Sequence, residues 1–378
     1  MMNKKKKFLL ILLYIVFLIG LFEGLARLTY SNPKLSKRLW VNENLSWRRS
    51  WVQRHKSTGK EIYYTFDNYD SSKGWLSKPN LRDMKVFDNK ILNTNTKGVR
   101  GINEYSYIKD PNKTRILILG DSYTFGEEVS DNETYSYYLQ QLLPNTEVIN
   151  LGIHGYGHDQ MLIYLREEGI KYKPDIIILG FIHPDMKRNM VNFRDYAKPK
   201  FKLKGNRLKL TASPVPSLEK TLKWDWARPR IFDVIANFRY KFRMQFGLYE
   251  KEKDELTTAI LNEIITQSDS INAIPIFVYL PLIKEIAISD SITSGEKYLS
   301  NLCENNKNAN YFSARQYLIE QLTLGVPFKE RGHWGYVGNH AIAEAIKQYL
   351  IDSGLVPIDD NNEKSDISNP NKMHRGHN

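Results

Sequence analysis

Cysteine is almost absent: Cys303 is the only one in 378 residues, so no disulfide can form within the chain. No Cys/His spacing of the structural-zinc kind occurs, and neither a metal nor a cofactor is expected. At this length, with 42% apolar residues, a large domain can bury an adequate core without such staples. The scarcity of cysteine therefore neither places the chain outside the cytoplasm nor excludes it from there. Internal repeats are also lacking, which removes solenoids and propellers.

Long apolar runs are scarce too. The uncharged stretch from Phe8 to Phe22 has fifteen residues, short of the roughly 20 a spanning helix needs. Glu23 and Arg27 interrupt it, while Leu25, Ala26 and Leu28 extend it to a usable length if the charged ends snorkel toward the headgroups. Behind the basic cluster Lys4 to Lys7, residues 1–28 read as a basic stub and an uncleaved signal-anchor helix. A cleaved signal peptide is the competing reading, for which Gly24-Leu25-Ala26 is a poor small-x-small site. Arg27, Lys34, Lys37 and Arg38 offset the N-terminal lysines in a positive-inside count. We expect a single-pass protein, the bulk of the chain extracytoplasmic, with inner-membrane lipid as a partner.

Acidic residues are short in one place. From Lys187 to Arg243 sixteen Lys and Arg face four Asp and Glu, which accounts for the whole net charge of +12. Trp224, Trp226, Phe232, Phe238, Tyr240, Phe242 and Phe246 are interleaved there or at its edge. A solvated insertion with a small aromatic core explains this, and so does contact with anionic headgroups or an acidic glycan. Nucleic acid is not expected as a partner of an anchored chain.

What is present is an α/β rhythm. Arg115 to Leu119 is a short aliphatic run closed by Gly120, a strand buried on both faces. Strands at Glu147 to Leu151, Ile176 to Phe181, Ile274 to Leu280 and Tyr311 to Ser313 alternate with helical spacing over about 131–143, 159–172, 253–268, 296–305 and 338–350. Lys200 to Leu210 alternates around Gly205-Asn206, a hairpin signal. Residues 29–112 show little periodicity and read as an irregular stalk or wrap. The α/β domain spans 113–352 with an insertion at 187–250, and 353–378 is polar enough to be a disordered tail.

The first strand delivers Asp121-Ser122 at its carboxyl end, where open α/β sheets collect ligands. A serine there suits a helix cap. With His333 far downstream, it also suits a nucleophile beside a base. His154, His158, Asp159 and His183 could gather at the same edge around a metal, although no second motif supports one.

These phrases resemble the conserved blocks of the SGNH (GDSL-type) hydrolases, in a bacterial membrane-anchored branch. Gly120-Asp121-Ser122, Asn150-Leu-Gly-Ile-His-Gly155, the strand end Gly180 to Asp185, and Glu330-Arg-Gly-His333 come in the family's order, across roughly residues 113–352. Asn95-Thr-Lys-Gly-Val-Arg-Gly101, Phe125-Gly-Glu-Glu-Val129 and Lys173-Pro-Asp-Ile-Ile-Ile178 fit the same branch. The resemblance implies a flavodoxin-like three-layer α/β/α sandwich with a parallel sheet. It implies Ser122 as nucleophile, His333 as base and Glu330 as orienting acid, with the Ser122 and Gly155 amides as oxyanion donors. Asp121, His183 and Asp185 would support the site.

Two blocks depart from the pattern: Pro184 stands where the family has an oxyanion-binding asparagine, and Glu330 where it has aspartate. The function implied is a membrane-anchored serine esterase or O-acyltransferase acting on ester groups, chiefly acetyl, of cell-envelope carbohydrate. A catalytically impaired binding or assembly protein and a lipid-active esterase are the alternatives. The basic insertion would lie outside the sheet near the mouth of the Ser122 site.

Overall fold

The computed structural model describes residues 3–58, 65–286, 291–325 and 332–357. Five strands form one parallel sheet: β1 (Thr114–Leu119), β2 (Thr146–Asn150), β3 (Ile176–Phe181), β4 (Ile274–Tyr279) and β5 (Asn310–Ser313). Their spatial order is β2-β1-β3-β4-β5. Ile116 pairs with Ile176 across β1 and β3, and Ile118 with Asn150 across β1 and β2.

The helices, in chain order, are α1 (Lys4–Ser31), α2 (Pro33–Leu39), α3 (Glu43–Thr58), α4 (Ser122–Phe125), α5 (Tyr135–Leu142), α6 (His158–Glu167) and α7 (Asp185–Arg188). After them come α8 (Leu218–Ala227), α9 (Ile231–Gln245), α10 (Leu248–Asp269), α11 (Ile283–Ile286), α12 (Ser294–Glu304), α13 (Arg315–Thr323) and α14 (Tyr336–Asp352).

Side chains alternate across a strand, so an aliphatic run feeds two cores at once. Ile116, Ile118, Ile176, Ile178 and Val278 face a layer that includes Leu139, Leu318 and Ile346 of α5, α13 and α14. Leu117, Leu119, Ile177, Leu179 and Phe277 face Leu162, Ile260 and Leu299 of α6, α10 and α12. The result is the expected three-layer α/β/α sandwich. Strand order reverses between β1 and β3, which opens a crevice at their carboxyl ends.

The stretch expected to be an irregular stalk is more ordered than its composition suggested. It holds α2, α3 and two antiparallel pairs, Asp67–Asp70 with Gly74–Ser77 and Met84–Val86 with Lys90–Leu92. In α3 the polar Arg48 and His55 are buried beside Leu45, Trp51 and Val52, which erased the amphipathic signal.

The insertion also differs from expectation. Its hairpin, Lys200–Lys204 with Arg207–Thr211, forms as read. Phe193, Tyr196 and Phe201 enter the main core. Helices α8 and α9 pack against α1, α3 and α10, while the segment ahead of the hairpin reaches the Ser122 loop through Arg188. Of the expected tail, residues from 358 onward lie outside the described residues.

Candidate active site

The turn after β1 is built by close approach. A side chain at Gly120 would place Cβ 1.9 Å from Thr124 Oγ1, so the loop folds tightly only with glycine there. Asp121 caps α4, its carboxylate accepting from the Tyr123 amide at 3.0 Å. Ser122 is thereby set at the first position of a single helical turn, 5% exposed. The loop beyond it is held by Arg100, which is buried. Its guanidinium donates to the carbonyls of Phe125 and Gly126, both at 2.6 Å, to that of Val129 at 2.7 Å, and to Asp131 at 2.9 Å.

His333 arrives from the far end of the chain, just before α14. Trp334 Nε1 donates to the Pro281 carbonyl at 3.1 Å, and Asn339 ties Trp334 to α5 by accepting from the Tyr135 amide at 3.0 Å. The His333 ring packs on Tyr123 at 4.7 Å between centroids. Burial and the nearby Asp121 charge push the Tyr123 phenol well up, so it stays neutral. His333 Nε2 lies 2.7 Å from Ser122 Oγ. Ser122 Oγ also lies 3.2 Å from Asp121 Oδ2, a longer and weaker alternative for its single proton.

Glu330 lies outside the described residues. Two other carboxylates face the ring. Glu128 Oε1 is 3.7 Å from Nδ1, and Glu127 Oε2 is 3.8 Å from Nε2. These are electrostatic contacts rather than hydrogen bonds. Glu128 sits at φ +70, in the left-handed region that residues other than glycine seldom adopt. A Cβ on Gly332 would come within 2.6 Å of its Oε1. Both glutamates belong to the phrase Phe125 to Val129 and are not among the site residues expected from the sequence.

Neither the Ser122 nor the Gly155 amide donates to another described residue. A free N–H group placed beside a nucleophile can meet a developing oxyanion. Pro184 begins the turn into α7 and has no N–H to offer. The neighbouring cation is Arg188, another residue the sequence reading missed. It donates to Asp121 Oδ2 at 2.8 Å and to the Tyr156 carbonyl at 2.9 Å, and pairs with Asp185 at 2.6 Å. Asp185 is fully buried, and burial raises its pKa well above the carboxylate range despite that pairing. His183 makes no hydrogen bond or ion pair to Ser122 or its loop among the described residues. Burial lowers its pKa.

The residues considered for a metal are occupied separately. His154 pairs with Asp67 at 2.7 Å. His158 stacks on Phe181 and is held neutral by burial, its pKa lowered to about 3. Asp159 pairs with the buried Lys198 at 2.5 Å. Among the described residues no group of three His, Cys, Asp or Glu is placed to hold a metal ion.

No family model and no curated protein matches the chain. Solved structures do. A two-domain esterase, CEX, active on acetylated mannans is 11% identical with a TM-score of 0.38, covering 65% of this chain and 51% of that one. A catalytic mutant of Axe2, an acetylxylan esterase from Geobacillus stearothermophilus, is 15% identical with a TM-score of 0.38, covering 65% and 97%. A GDSL-like lipase from Bacteroides thetaiotaomicron is 12% identical with a TM-score of 0.37, covering 65% and 91%.

Proposed function

We propose that this chain is a serine esterase of the SGNH type, with Ser122 as nucleophile and His333 as general base. The observation that carries the reading is the 2.7 Å contact between His333 Nε2 and Ser122 Oγ. Ser122 Oγ attacks the ester carbonyl carbon as its proton passes to Nε2. The tetrahedral oxyanion is met by the Ser122 and Gly155 N–H groups. Collapse breaks the bond to the leaving alcohol, which takes the proton from His333 and leaves an acyl-serine. Water then attacks the acyl carbon, His333 again takes and returns the proton, and the acid departs.

Glu128 is the positioning carboxylate in this reading. Its charge beside Nδ1 favours the tautomer with the proton on Nδ1, leaves Nε2 free to accept, and stabilises the imidazolium that follows. Arg188 holds Asp121, and through it the start of α4, without touching the reacting atoms.

The substrate class is an acylated carbohydrate of the cell envelope. Helix α1 is long and apolar enough to cross a membrane, and as an anchor it would hold the site beside envelope polymer on the extracytoplasmic side. The test is labelling with a fluorophosphonate and hydrolysis of p-nitrophenyl acetate, native protein against Ser122→Ala. A native protein that neither labels nor turns over would overturn the reading. Acetyl transfer to an added oligosaccharide in place of release to water would reassign it as an O-acyltransferase.

A further inference from the structure

Helix α9 is inside out for a protein surrounded by water. Phe232, Ile235, Phe238 and Phe242 recur at helical spacing and form one exposed stripe. The opposite side, carrying Asp233 and Asn237, is the buried one. Trp224 and Trp226 of α8 and Phe246 after α9 are exposed as well, Trp226 by 70%. Exposed Lys220, Lys223, Arg239 and Lys241 flank these rings. A polar side turned inward and an aromatic, cation-edged side turned outward suit an element lying in a lipid interface.

The position of this face relative to α1 says what covers it. From Phe8 to Phe22, fifteen residues rising about 1.5 Å each, every residue of α1 is exposed. At its far end Glu23 accepts from the amides of Arg230 at 2.9 Å and Ile231 at 3.1 Å, so the side chain that ends the apolar run caps the first turn of α9. Farther along, Asn237 accepts from the Asn42 amide at 3.1 Å and donates to the Leu39 carbonyl at 2.8 Å. Arg48 and Arg230 meet Asp225 and Asp233 in a buried ion cluster that joins α3, α8 and α9. The start of α9 is therefore fixed at the depth where α1 leaves a bilayer.

We propose that the aromatic face of α8 and α9 lies in the headgroup interface of the membrane that α1 crosses, its rings at the acyl boundary and its cations on anionic phosphates. The insertion then sets the height and tilt of the domain over the surface, where α1 alone would leave a swivelling tether. This rests on α1 spanning the bilayer and not on the esterase reading.

The full-length chain is reconstituted in nanodiscs of phosphatidylcholine and phosphatidylglycerol. Fluorescence is compared with that of a Trp224→Phe/Trp226→Phe variant, the difference reporting those two rings. Among the other tryptophans, Trp40, Trp51, Trp75 and Trp334 are buried. Lipid brominated near the headgroup end of its acyl chains should abolish most of the difference signal, while aqueous iodide should leave it nearly unchanged. In Phe238→Asp/Phe242→Asp, with helicity intact, the two sensitivities should move toward iodide. Quenching by iodide and not by brominated lipid would overturn the proposal. So would protection from both, which would mean that a second copy or another protein covers the face, and so would failure of the chain to enter the disc.

Discussion

Two buried charge clusters lie in this molecule, and they are wired for different ends. Near Ser122, Arg188 sits between Asp121 and Asp185, and Asp121 Oδ2 faces both the guanidinium and the serine hydroxyl. In the hub of α3, α8 and α9, Arg48, Arg228 and Arg230 surround Asp225 and Asp233, and the pairings run from guanidinium to carboxylate apart from one Arg230 bond to the Asp225 backbone carbonyl. The first network ends on a group that can react. The second closes on itself and joins segments nearly two hundred residues apart. Buried ion pairs of similar geometry thus serve as a site in one place and as a bolt in the other, and only the neighbouring chemistry tells them apart.

Substitutions sharpen that contrast. Ser122→Ala should cost the largest factor, about 10⁴ or more in kcat for p-nitrophenyl acetate, with the melting temperature close to native. Glu128→Gln should lower kcat by roughly 10²–10³-fold with KM nearly unchanged, and Glu128→Asp should recover part of the loss. Full activity in Glu128→Gln would remove Glu128 from the positioning role. In the other cluster, Asp233→Asn should cost about 3 kcal/mol of stability in denaturant titration, because Arg48, Arg228 and Arg230 lose a shared partner. Its folded fraction should keep native kcat/KM; a large loss there would erase the distinction between the clusters.

The smallest effect concerns pH. Burial lowers the pKa of His154, but Asp67 outweighs it, and the folded-state value lies above the ordinary one. The stability this pair contributes is fully present below the unfolded-state pKa and is lost as pH rises through the folded one. Native protein should therefore lose stability relative to His154→Gln as pH is raised from about 6, near the unfolded histidine value. Parallel melting curves over that range would sink the assignment.

The sheet was legible in the sequence because β1 and β3 are aliphatic runs and the other strands are short apolar runs bounded by glycine, proline or polar residues, and all five occur within a residue or so of their expected positions. The pairing of Ser122 with His333 was legible because few residue types can activate a serine. The closeness of Glu128 to His333 Nδ1 was not legible, since the two lie far apart in the chain and no spacing rule links them; Glu330 lies outside the described residues. Arg188 and Arg100 were hidden for another reason. Their partners are backbone carbonyls and carboxylates distant in sequence, and in composition each counted only as one more positive charge. The order in α3 was masked by buried Arg48 and His55.

The grip of Arg100 on the nucleophile loop has a consequence for proteolysis. The loop from Phe125 to Val129 is fastened from a segment ahead of the sheet, and Asp67 of the same segment clasps His154 beside Gly155. A protease that cut between Arg100 and Lys113 and shed the upstream piece would free a fragment with every strand of the parallel sheet and with both Ser122 and His333. That fragment would lack the struts that hold them still. On the esterase reading such a nick would silence the released domain, whereas a fragment cut upstream of Asp67 would keep both struts.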